Sequence, residues 1–185
     1  AGEPSWSNAT HLVISEPDHP DEGRLLRGKD LGWRDAEAFV VMDAASGAWV
    51  PHTQEAPAEL FVDAMIEVDG QPVRVKSSLQ RLAEEARRKT IEEYAAICGV
   101  PAATIAALAE KFTSYGKQAV VNSHGGVMNG NSFYTAYSIL MLNALVGNLN
   151  AKGGTFVSDG AFPSMTAGAR YDLQRFPGMR TPKGV

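Results

Sequence analysis

The residue types best suited to binding chemistry fall in one short run, "NSHGGVMNGNS", at positions 122–132. Gly125, Gly126 and Gly130 permit positive φ and a close approach of backbone to a ligand. Asn122, Ser123, Asn129 and Asn131 add short side chains that donate or accept hydrogen bonds. The apolar "QAVV" comes before the run and the apolar "FYTAYSILMLNAL" after it, so it joins the end of a strand to the first turn of a helix. Unpaired N–H groups and the helix dipole favour an anion at that point, and a phosphate is the usual choice. The pattern is not the G-x-G-x-x-G of dinucleotide sites, and it lacks the Lys-Ser/Thr of a P-loop. Locally, the glycines either cradle an anion or only make a turn.

His124 is the one residue of the run with acid–base or metal-binding capacity. No second His, Cys or carboxylate stands at metal-ligand spacing beside it, so no metal site is expected here. No nucleophile or carboxylate pair is placed to use it as a general base, which makes it a hydrogen-bonding residue. Met128 is core filler or a loop-tip residue by its own chemistry. His11, His19 and His52 lie in a loop-rich stretch without a triad-like context, and no catalytic residue is assigned. Cys98, the only cysteine, has no disulfide partner in the chain and reads as a buried, inert thiol near a helix end.

Composition narrows the class. With 44% hydrophobic and 21% charged residues the chain is an ordinary globular one, and a net charge of −4 excludes a general nucleic-acid or membrane-surface binder. Arg87-Arg88-Lys89 follows Glu84 and Glu85 and reads as a solvated helix face. No run is long and apolar enough for a membrane span, and no direct membrane insertion is expected. The chain opens on "AGEPSWSN", without an initiator Met, which leads us to expect an excised or processed piece.

Two zones must position the run. Residues 1–77 form a loop-rich, β-containing insertion or appendage. In it "THLVIS", "AFVVMD" and "GAWVPH" are short strands, and "ELFVDAMIEVDGQPVRVKSS" is a hairpin turning at Asp69-Gly70. Trp6, Trp33 and Trp49 are expected to pack this part. From Ser77 the pattern becomes helical. Ser77 with Gln80, and Thr90 with Glu93, are spaced as capping boxes; Gly99 closes the second helix and Pro101 opens the third. That third helix carries Ile105, Leu108, Ala109 and Phe112 on one face. "QAVVNS" then reads as a central strand covered on both faces, and the helix over 133–147 is apolar nearly all round, the mark of a buried helix. The architecture expected is α/β: part of a Rossmann-like parallel-sheet domain with helices on both faces, over 78–157, followed by an extended tail over 158–185. One strand does not make a sheet, so the missing strands come from the first half or from elsewhere in a larger protein.

The stretches "TIEEYAAICGVPAATIAALAEKFTSYGKQAVV" and "SHGGVMNGNSFYTAYSILMLNALVGNLNAKGGTF" resemble molybdopterin oxidoreductases of the dimethyl sulfoxide reductase superfamily. The shared order is a helix ending Gly-Val-Pro, an Ala/Leu-rich helix, a strand, a glycine loop, and a helix ending "LxGNxxxxGG". Here that ending is Leu145-Val146-Gly147-Asn148 with Gly153-Gly154. "FVDAMIEVDGQPVRVKSSLQ" and "AGEPSWSNATHLVI" look more narrowly like the tetrathionate-reducing catalytic subunits of that superfamily.

The resemblance implies a bis(molybdopterin guanine dinucleotide) molybdenum cofactor in the parent enzyme, with the glycine loop forming one wall of its site. It places Ser123, His124, Gly125, Gly126 and Met128 at cofactor-binding positions. Relatives often carry Met-Gly-x-x-Gln there. Aligned on Gly147-Asn148, His124 stands at the Met and Met128 at the Gln, so both side chains depart from the commoner pattern. The family's cysteine motif for a 4Fe-4S cluster does not occur in this segment, so that cluster is implied for the parent only. The implied partners are the rest of the catalytic subunit, an iron–sulfur electron-transfer subunit, and a membrane quinol-oxidising subunit. Also implied are a location on the periplasmic side of the bacterial cytoplasmic membrane and the reduction of tetrathionate to thiosulfate in anaerobic respiration. The segment by itself is expected to be inactive. Two other readings follow from the residues alone: a stand-alone nucleotide- or phosphate-binding module centred on 122–132, and a structural domain that docks onto another protein of its complex.

Overall fold

The computed structural model describes residues 8–54, 56–123, 128, 130 and 132–155. The chain divides into two compact units, Ala1–Leu108 and Ala109–Val185.

The first unit is built on a three-stranded antiparallel sheet in the order β1 (Leu12–Ile14), β5 (Gln71–Ser77), β4 (Asp63–Val68). The β4–β5 hairpin turns at Asp69-Gly70 as the sequence predicts. Both residues have positive φ, 50° and 76°, which matches the strand twist in a two-residue loop. Alternation is plain along it: Ile66, Val68, Val73 and Val75 face inward, while Glu67 and Arg74 face out. A second small sheet pairs β2 (Val40–Met42) with β3 (Trp49–Pro51) across the "AASG" turn. Leu12, Ile14, Leu26 and Val40 complete the core, with Trp33 and Trp49 packed against it; Trp6 lies outside the described residues.

Four helices follow the hairpin: α1 (Ser78–Ala86), α2 (Ile91–Cys98), α3 (Ala102–Ser114) and α4 (Phe133–Leu145). The Thr90–Glu93 capping box forms in both directions, and Gly99 takes the left-handed conformation at φ 71°. At α1 only half of the expected box is present. Ser77 Oγ accepts from the Gln80 N–H, but the Gln80 side chain donates to Glu84, which Lys76 also engages.

Four expectations are not met among the described residues. Both sheets among the described residues are antiparallel, and a parallel Rossmann-like sheet is not shown. Residues 119–123 form no strand among the described residues and pair with none there; only Ala119 is shown with extended backbone. α4 is also not a buried helix: Phe133 is 72% exposed, Tyr134 78% and Leu145 56%, since no described element packs over them. Cys98 likewise is exposed rather than buried. No single described helix is long and apolar enough to cross a membrane.

Candidate functional site

The second unit carries the glycine loop, and its geometry starts with what holds the loop's two ends. The segment before it leads through Val120, Val121 and Asn122 to Ser123, which is half-buried. His124, Gly125 and Gly126 lie outside the described residues, as do Asn129 and Asn131. Met128 is described and is 72% exposed, and the chain then enters α4 after Ser132. Of the five positions predicted to bind a cofactor, the structure therefore places Ser123 and Met128.

At the helix start, Ser132 makes no side-chain cap. The Ser132 carbonyl accepts from the Ala136 N–H, while the N–H groups of Phe133, Tyr134 and Thr135 have no hydrogen-bond partner among the described residues. Three N–H groups without a partner among the described residues, at the positive end of a 13-residue helix, are a donor set of the kind that suits an anion. The chemistry of that donor set suits a phosphate or pyrophosphate. Among the described residues no group of three or more His, Cys, Asp or Glu side chains is placed to hold a metal ion.

At the other end of α4 the "LxGNxxxxGG" signature is revealed as a closure device. Gly147 is left-handed at φ 68°, and its N–H donates to Ala144 O while the Asn148 N–H donates to Asn143 O, a Schellman closure. The chain then doubles back, so that the Asn148 carbonyl accepts from both Ala151 and Thr155 N–H groups. A Cβ at Gly154 would overlap that carbonyl oxygen, which explains glycine at this position.

Two asparagines inside this arrangement are residues to which the sequence pattern assigned no role in the site. Asn143, 3% exposed on α4, accepts from the Val121 N–H at 3.0 Å and donates to the Val121 carbonyl at 2.8 Å. Asn148, fully buried, donates to the Ala119 carbonyl and, at 2.7 Å, to Asn143 Oδ1. The signal was available for Asn143: it is a lone carboxamide in an otherwise apolar turn, "ILMLNAL".

The first unit offers no comparable donor set. A shallow cleft of about 270 Å³ is lined by Lys76, Arg81, Glu84 and Arg88 among others, but Lys76 pairs with Glu84 at 2.7 Å and Arg88 with Glu85 at 3.0 Å. On the same sheet, two hydrogen bonds from Arg74, both 2.7 Å, hold the Asp63 carboxyl below the usual carboxylate range. His11 stacks on Phe39 at 4.4 Å with His52 edge-on to both rings, and Arg27 lies 3.7 Å from the Phe39 ring centre. Burial, then the nearby His52 and Arg27 charges, push the His11 pKa down to about 4. This aromatic cluster packs the first unit and presents no nucleophile.

No protein-family model matches the chain. Individual proteins do. Over the whole chain, 47% of residues are identical to a tetrathionate reductase subunit of Salmonella typhimurium. A selenate reductase subunit of Mesobacillus selenatarsenatis is 36% identical over 82% of the chain, and a tetrathionate reductase subunit of Archaeoglobus fulgidus is 34% identical over 83%. The chain spans only 18%, 14% and 13% of the lengths of these three relatives.

Proposed function

Because the chain belongs to the family of these tetrathionate and selenate reductase subunits and matches a segment of them, we propose that it forms one wall of a molybdenum-cofactor site in a catalytic subunit that reduces a chalcogen oxyanion. Tetrathionate is the substrate best supported, since the relative 47% identical over the whole chain carries that name. The reaction adds two electrons to the central S–S bond of tetrathionate and releases two thiosulfate ions. A bound bis(molybdopterin guanine dinucleotide) molybdenum centre supplies the two-electron chemistry. What this chain's residues contribute is binding and orientation.

The observation that carries the reading is the start of α4, where three backbone N–H groups have no partner among the described residues. Gly125 and Gly126 let the backbone approach a flat or anionic group, and the open N–H groups of Phe133, Tyr134 and Thr135 suit a pyrophosphate or phosphate oxygen. Ser123 and His124 supply side-chain hydrogen bonds at the loop's entry, and Met128 packs apolar surface against the cofactor. His124, at the position where the resembled superfamily often carries Met, offers a ring N–H to a pterin or phosphate acceptor.

Several features of the parent belong to the same proposal. Its 4Fe-4S cluster is held by residues outside this segment and delivers electrons to molybdenum. The remainder of the catalytic subunit closes the opposite wall and supplies strands beside residues 119–123, completing a parallel sheet. Two further subunits, one carrying iron–sulfur clusters and one oxidising quinol in the membrane, feed it with electrons. The assembly faces the periplasm during anaerobic respiration. A stand-alone nucleotide module is not favoured, because α4 exposes apolar faces that such a module must cover.

His124→Ala in the full-length catalytic subunit tests this reading. Molybdenum and guanine nucleotide per protein molecule are expected to fall several-fold, as does reduced-viologen oxidation by tetrathionate. Unchanged metal content together with unchanged rates would remove His124 from the site. A wild-type protein free of molybdenum would overturn the cofactor reading altogether.

A further inference from the structure

We propose that Asn143 and Asn148 are positioning residues for the cofactor wall: they lock residues 119–121, which lead into the glycine loop, to α4, the helix that follows it. This deepens the cofactor reading above and rests on it.

The segment entering the loop has no strand beside it among the described residues, yet one edge of its backbone is satisfied. Asn143 takes the place of a neighbouring strand there, because a carboxamide carries a donor and an acceptor side by side, as a peptide does. It bonds both polar groups of Val121, two residues before Ser123, and its Nδ2 also donates to Ile139 O at 3.0 Å. Asn148 extends the contact one register step back, to Ala119, and holds Asn143 Oδ1 with the same amide nitrogen. The Val120 and Asn122 backbone groups, which face the other edge, find no partner among the described residues. The fixed edge is thus held by two side chains, both from α4 or its closure.

Alternative chemistries fail at these positions. Asn148 Nδ2 serves two acceptors, so a carboxylate there would set oxygen against oxygen. The flipped amide fails for the same reason, which fixes the orientation. Asn148 Oδ1 is buried without a partner among the described residues, a cost accepted where Nδ2 must make both bonds. The Schellman closure and Gly154 then lock the Asn148 backbone, so that its side chain has no slack. Because Asn143 sits on the helix that the loop enters, the two ends of the loop are coupled directly. Neither asparagine needs to touch the cofactor to act on it.

The test uses the full-length catalytic subunit in its complex, prepared both with cofactor and from cells unable to make the pterin. Asn143→Ala and Asn148→Ala are expected to raise hydrogen exchange across residues 119–132 of the cofactor-free protein about tenfold, and to lower molybdenum and guanine nucleotide content about fivefold. Val75→Ala, in the first unit's core, is the control for lost stability. At an equal fall in Tm it should change neither measure. Asn143→Asp adds a pH signature: once protonated, its carboxyl both donates to Val121 O and accepts from the Val121 N–H. Protection of 119–132 in that variant should therefore recover as pH falls from 8 to about 5, while wild type stays flat.

Unchanged exchange in both alanine variants, or equal losses in Val75→Ala, would overturn the clamp. Raised exchange with wild-type cofactor content would overturn its role in shaping the site. If the wild-type protein holds no pterin but the exchange contrast appears, the cofactor reading fails and the clamp on the loop stands.

Discussion

Ser77 shows how much one small side chain can hold together. It is fully buried where the hairpin ends and α1 begins. Its Oγ accepts from Gln80 N–H at 3.1 Å and Val62 N–H at 3.2 Å, and donates to Leu60 O at 2.7 Å. Ser77→Ala removes all three bonds and leaves buried partners unpaired, a loss of about 2–3 kcal/mol. Urea unfolding followed by Trp33 and Trp49 fluorescence should show a lower midpoint with unchanged slope. His11 gives a separate, pH-dependent handle. Its pKa in the fold is about 4 against 6.5 unperturbed, so folding favours the neutral ring. Its contribution is complete above pH 6.5 and is lost as pH falls from 6.5 towards 4. With the ring half-exposed, about 1 kcal/mol is at stake. Asp63 titrates in a different window: its carboxyl lies below 3.8, and its ion pair fails only in stronger acid. His11→Phe should flatten stability between pH 6.5 and 4 while leaving the acid limb intact. An unaltered slope in that window would remove His11 as its source.

At the scale of elements, legibility tracked the distance over which information has to act. The β4–β5 hairpin, the Thr90–Glu93 box and the Gly99 stop depend on residues within a few positions of each other, and all are as the sequence predicts. The partner of β5 on its other side, β1, lies some sixty residues away, and no local pattern announces it. Gln80 escaped its predicted role because the Ser77 N–H it would accept already donates to Val62 O, and its side-chain amide donates to Glu84 instead. The glycine loop reads from the sequence as a seat for an anion, and the N–H groups of Phe133, Tyr134 and Thr135, which have no partner among the described residues, are compatible with that reading. The clamp behind it was not read, because a carboxamide in a helix looks like a weak point until the segment it serves is located. The hairpin turn supports a direct test. Gly70 has φ 76°, so Gly70→Ala should cost about 1 kcal/mol in the same unfolding assay, and Gly70→Asn less, because asparagine tolerates the left-handed region.

For the molecule as a whole, the distribution of apolar surface matters more than its amount. Every buried hydrophobic residue among those described lies in the first unit, apart from Ala119. Residues 1–77 read from the sequence as a loop-rich, β-containing insertion or appendage, and that stretch holds the buried hydrophobic cluster. The helices read as a covered α/β layer because their residues are apolar, yet Ile97 is 69% exposed, Leu108 60% and Tyr134 78%. Periodicity reports which faces require cover; it does not say whether the cover is in the same segment. Helices of 8 to 13 residues that bury no hydrophobic side chain have little to hold them in water beyond local capping and, for α4, the asparagine clamp. Hydrogen exchange of the 185-residue chain on its own should therefore separate two classes. Amides of β1, β4 and β5 should be protected by several orders of magnitude, and those of α2, α3 and α4 far less, α2 and α3 by under about tenfold. In the full-length catalytic subunit, α4 should rise to the protection of the sheet, because the proposed strands and cofactor cover it there. Strong protection of α4 in the isolated chain would mean that its apolar faces are satisfied without the rest of the protein, and the case for a shared cofactor wall would lose its main physical support.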